Sequence, residues 1–95
     1  MTVREILIAA KALIPDEDHW WRGHNDSRAD VVGCECPITA VRRVNVAGSM
    51  ISSIALCEAM GFKTLNDLYE WNDAPERTIA EVHAAFDRAI ADTAP

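Results

Sequence analysis

Residues 71–91 read WNDAPERTIAEVHAAFDRAIA, and this stretch sets the class of the fold. Thr78 followed three residues later by Glu81 is a capping box. The threonine hydroxyl takes a free backbone N–H of the first helical turn, and the glutamate reaches back to the cap residue. At 100° per residue Ile79, Val82, Phe86, Ala89 and Ile90 share one face, and Glu81, Arg88 and Asp92 fall opposite. That is a helix with one face on a core. His83 lies on the border of the apolar face and is expected to be half-buried with a satisfied ring. Upstream, Asn72-Asp73-Ala74-Pro75 reads as a turn, since Asn and Asp bond their own backbone and proline fixes φ. Trp71, Asn72, Asp73 and Arg77 are the binding candidates here. They either converge as a polar pocket over a helix N-terminus, which favours anions, or simply lock the turn.

The same grammar recurs along the chain. Thr2 and Glu5 form a second capping box, and Val3, Ile6, Leu7, Ala10, Leu13 and Ile14 share a face before Pro15 ends the helix. Pro37 suits a first helical position, and Pro37, Ala40, Val41 and Val44 line one side of the next helix. Gly48-Ser49 opens a helix from Met50 to Met60, stopped by Gly61. Its arc of Met50, Ile51, Ile54, Ala55 and Cys57 predicts the most buried helix. Glu58 falls within that arc. A buried carboxylate must be paired or neutral, so it is expected to pair with Arg42, Arg43 or Arg77 or to escape to solvent at the helix end. Thr64 caps a short helix from Leu65 to Trp71.

Residues 15–35 lack this periodicity. Asp16-Glu17-Asp18 is an acidic, solvated knot. Trp20 and Trp21 are adjacent, so one is expected in the core and the other as a lid or binding surface. Gly23 to Asp26 reads as a turn, and a short strand at Asp30 to Gly33 is compatible with the pattern without being demanded. The fold expected is therefore mainly all-α: a compact bundle of four to five short helices with a long irregular Trp-rich loop, residues 1–95 forming a single domain.

Composition excludes several function classes. The 95 residues are 49% hydrophobic, ample for a core, with a formal charge of −6 and a pI near 4.8. Direct nucleic-acid binding is not expected of such a surface. The sequence holds no 18-residue apolar run and no signal-peptide pattern, so neither a membrane span nor secretion is expected. Cys34, Cys36 and Cys57 are an odd set, which fits free thiols in a reducing cytoplasm. Phosphate-loop glycine patterns are absent.

Two chemistries remain open. His19, His24, Cys34 and Cys36 form an H-x4-H…C-x-C set that could supply four ligands to zinc, although C-x-C is tighter than the usual spacing. Cys36, just before a helix N-terminus, could serve as a thiolate nucleophile with His19, His24 or His83 as base; no oxyanion pattern accompanies it. No metal, cofactor or catalytic residue is assigned. The leading expectation is a protein-binding module using Trp20, Trp21, Trp71, Asn72, Asp73 and Arg77. A small core and a high apolar fraction also favour a homodimer.

Three motifs sit together in order: the Ile6 to Ile14 helix followed by Trp20-Trp21-Arg22-Gly23, Cys34-x-Cys36 leading into a helix with Ala40, and Trp71-Asn72-Asp73-Ala74-Pro75-x-Arg77-Thr78-x-x-Glu81-Val82 continuing through Phe86-Asp87-Arg88-Ala89-Ile90. In this the chain resembles a domain family of unknown function among small bacterial and phage proteins. The family pattern has a Gly-Ala pair after the cysteine, where Thr39-Ala40 stands here. The resemblance implies a bacterial or phage origin and a shared fold. It implies no activity. In such a setting the partner could be a host or defence protein that this one inhibits or modulates.

Overall fold

The computed structural model describes residues 1–22 and 34–93. Five α-helices follow one another: α1 (Val3–Ala12), α2 (Pro37–Val44), α3 (Ser49–Met60), α4 (Leu65–Asp73) and α5 (Ile79–Asp92). Among the described residues one 3-10 turn, Glu17–His19, follows α1. The fold is all-α, as the periodicities predict. The turn expected at Gly23 to Asp26, His24 among them, and the short strand compatible with Asp30 to Gly33 lie outside the described residues.

Side chains fix the starts of α1, α2, α4 and α5. Thr2, Thr64 and Thr78 each accept the backbone N–H three residues on, and Glu5, Asp67 and Glu81 return the bond to the cap residue. Cys36 does the same for α2: its Sγ accepts from Thr39 N, and Thr39 Oγ1 accepts from Cys36 N at 2.9 Å. Gly61 ends α3 in the left-handed conformation at φ 74°, which a side chain would strain.

α1 and α5 run antiparallel and tie the chain ends together. Arg4 donates to the carbonyls of Ile90 and Thr93, where the last carbonyls of α5 favour a cation. Lys11 pairs with Asp87 at 2.7 Å. The His83 ring, half-buried, meets the Ile14 carbonyl at 2.5 Å. Between these helices and α2 and α3 lies the core, with Leu7, Ile14, Trp20, Val41, Leu56, Leu68, Val82 and Phe86 almost fully buried.

α3 packs against each of the other four helices. Its orientation overturns the sequence expectation. Ser52, Ser53, Leu56 and Cys57 face inward, while Met50 is 60%, Ile51 64% and Ile54 43% exposed. Of the expected arc, Met50, Ile51 and Ile54 face solvent, Ala55 is half-buried and Cys57 alone is buried. Small inward residues let α3 approach closely: a Cβ at Gly48, just before it, would stand 2.7 Å from Ile6 Cδ1. Glu58, on the outward arc, is exposed and not buried against an arginine.

A second correction concerns residues 72 and 73. Asn72 and Asp73 close the last turn of α4, and the chain turns only from Ala74. The Asn72 side chain is committed to the core and not to its own backbone, which removes the turn signal's physical basis. The acidic knot is exposed, and Asp16 caps the 3-10 turn through His19 N.

Candidate functional site

Beyond the 3-10 turn the chain extends, and Trp20 forms a parallel bridge with Glu35. Glu35 N donates to His19 O at 2.8 Å and Trp21 N to Glu35 O at 2.9 Å. This pairing delivers Trp20 to the core and fixes Glu35 between two buried cysteines.

Trp20 meets the end of α4. Its Nε1 donates to Asn72 Oδ1 at 2.7 Å, both residues being buried. Asn72 Nδ2 donates onward to Trp21 O and to Asp73 Oδ1. Arg22 lies 4.8 Å from the Trp20 ring centre and donates to the carbonyls of Ala74 and Pro75. Arg77 lies 4.4 Å from the centre of the Trp71 ring, donates through Nε to Trp71 O at 2.9 Å and pairs with Glu81 at 2.7 Å. Trp71 also packs on Phe62.

The structure thus brings Trp20, Trp21, Trp71, Asn72, Asp73 and Arg77 into one region. Their polar atoms largely serve one another. The carbonyls left over at the end of α4 collect both guanidinium groups, as the negative end of a helix should. Arg77 is directed to these carbonyls and to Glu81. Trp20 is the core member of the tryptophan pair and Trp21 is half-buried. The Trp21 Nε1 is shielded from water and has no acceptor among the described residues.

Of the residues proposed for zinc, His19, Cys34 and Cys36 each have other partners. His19 is exposed, with Nδ1 2.6 Å from Asp16, and this hydrogen bond holds the Asp16 carboxyl below the usual carboxylate range. Cys34 Sγ donates to Asp18 O at 3.1 Å, and Cys36 Sγ is the α2 cap. His24 lies outside the described residues. Among the described residues no three His, Cys, Asp or Glu side chains are placed to hold one metal ion. Cys36 is buried, and its Sγ bonds only to Thr39 among the described residues. Of the three thiols, Cys57 is pushed up chiefly by burial, with Asp67 and Glu58 adding to it.

Sequence reasoning missed Glu35. It is 5% exposed, and Arg43 Nε donates to its carboxylate. The paired acid that was sought at Glu58 is here, with one of the arginines named for it. The available signal was an acid between two cysteines, with an arginine eight residues on along α2. These residues line an open hollow of about 450 Å³ with Thr39, Arg42 and Val46.

The hollow reaches Val46, which is 76% exposed and stands in the turn leading into α3. On that helix Met50, Ile51 and Ile54 are exposed as well. Glu58 follows Ile54 by one helical turn, so the stripe ends on a carboxylate.

A family match runs over residues 1–92. The chain belongs to DUF6197, a family of unknown function. No curated protein and no solved structure matches it. Membership therefore says what the chain is related to and leaves its chemistry to the geometry. Among the described residues no helix is long and apolar enough to cross a membrane.

Proposed function

We propose that this DUF6197 chain is a protein-binding module and that the outward face of α3 is its contact surface. The observation that carries this is the exposure of Met50, Ile51 and Ile54 at helical spacing on α3, with the exposed Val46 in the turn before it. Scattered apolar side chains on a surface are ordinary, whereas a contiguous strip at helical spacing is the form that protein recognition takes. The Trp20–Asn72 region supports this surface as scaffold. The acidic charge of −6 favours a protein over a nucleic acid as partner. The family resemblance adds a bacterial or phage setting, with a host or defence protein inhibited or modulated in the cytoplasm as the corresponding role.

The test is capture by the immobilised full chain from lysate of its native cells. Wild type is expected to retain a stoichiometric protein, a second copy of the chain included. The variant carrying Ile51→Lys and Ile54→Lys, with an unchanged helical circular-dichroism spectrum, is expected to lose it. Equal retention by both forms, or none by either, would overturn the reading.

A further inference from the structure

We propose that the outward face of α3 pairs with the same face of a second copy of this chain, in an antiparallel twofold dimer. The inference rests on the reading of that face as a protein-contact surface and names its occupant.

A twofold interface must be complementary to itself: whatever lies on one side of its axis must fit what lies on the other. The α3 face has this property. Its centre is apolar, with Met50, Ile51 and Ile54. The turn before its N-terminal end holds Val46, which lines one hollow with the exposed Arg42 and Arg43. Its C-terminal end carries the exposed Glu58. Neither Arg42 nor Glu58 has an ion pair among the described residues.

Antiparallel pairing about the middle of the strip, near Ser52, sets Met50 against Ile54 of the second copy. The same operation sets Glu58 against the Val46 turn, beside Arg42 and the hollow. Each end therefore meets the opposite charge, and the contact occurs twice, once on either side of the axis. A parallel arrangement would place Glu58 beside Glu58 and Arg42 beside Arg42, and like charges at a contact disfavour it.

The size is consistent with a reversible dimer. Four side chains at these exposures present on the order of 400–500 Å² of apolar surface, within the range of functional patches on small proteins. A standard stable interface covers roughly 800 Å² per partner, and the charged ends supply the remainder. Half-association is expected in the range of about 10–100 μM.

The experiment is sedimentation equilibrium on the full chain from about 5 μM to 1 mM. The expected mass rises from 10.5 kDa towards twice that value. Ile54→Lys is expected to weaken association by about thirtyfold or more. Glu58→Arg and Arg42→Glu should each weaken it by about fivefold to tenfold, and the two together should return it to within about twofold of wild type. All three positions are exposed, and an unchanged circular-dichroism spectrum verifies the fold. A mass of 10.5 kDa at every concentration overturns the dimer, as does association indifferent to these substitutions. A monomer that still loses a captured protein on Ile51→Lys and Ile54→Lys overturns only the second-copy occupant, and the binding surface stands.

Discussion

Glu35 and Arg43 form a pair with unequal partners, since the carboxylate side chain is 6% and the arginine 62% exposed. Removing the arginine leaves a buried charge without its counterion, whereas removing both leaves an ordinary polar contact. Arg43→Met is therefore expected to destabilise the fold by about 1–3 kcal/mol, the exposed guanidinium keeping the loss at the lower end of buried pairs. Glu35→Gln on that background should recover part of it. Urea denaturation of the four forms measures the coupling, and strict additivity would show that the contact carries no energy. Asn72 poses the same question without charge. Asn72→Ala removes the acceptor of the buried Trp20 indole N–H and the donor to the part-buried Trp21 carbonyl. A loss of about 2–3 kcal/mol is expected, and a loss below about 0.5 kcal/mol would mean water replaces the amide. The Glu35–Arg43 pair left only a faint local signal, and the Trp20–Asn72 pair was not legible in the sequence, because its partners lie in distant segments. Only the fold brings residue 20 to residue 72.

At the scale of elements the sequence was far more informative. The cap residues Thr2, Thr64 and Thr78 and the acids that answer them are local, so three to four residues suffice to read a helix start. The apolar faces of α1, α2 and α5 were equally plain, as each has a polar side to contrast with. The end of α4 was misread because Asn72 bonds across the fold and not to its own turn. The caps also predict an acid dependence. Thr2 N holds the Glu5 carboxyl, and Thr78 N the Glu81 carboxyl, below the ordinary glutamate range; Arg77 adds to the latter. A carboxyl lowered on folding contributes stability that is present above its unfolded value and lost as pH falls through the folded one. The losses at Glu5 and Glu81 therefore belong below about pH 4.3. In thermal melts between pH 7 and pH 3, the variant with Glu5→Gln and Glu81→Gln should fall less steeply on the acid side than wild type. Parallel acid limbs would place the sensitivity in other carboxyls.

For the whole molecule the deciding choice is which side of α3 goes inward, and periodicity could not make it. One side offers Met50, Ile51 and Ile54, the other Leu56 and Cys57 with two serines. Both sides are apolar enough to serve as core, and the hydrophobic effect has no direction. Close approach to α1 selects the small side, as the tight contact of Gly48 with Ile6 indicates. The two faces should therefore answer differently to substitution. Leu56→Ala removes a fully buried side chain, and a fall in melting temperature of about 10–20 °C is expected at any concentration. Ile54→Gln alters an exposed position and should move it by no more than about 2 °C at 5 μM. At 1 mM the comparison changes, because association of folded chains stabilises them by mass action. The wild-type melting temperature is then expected to rise by a few degrees, with that of Ile54→Gln staying closer to its dilute value. Calorimetry at the two concentrations reads both effects. A dilute Ile54→Gln protein as damaged as Leu56→Ala would place the arc in the core after all, and a wild-type melting temperature indifferent to concentration would leave the face without its second copy.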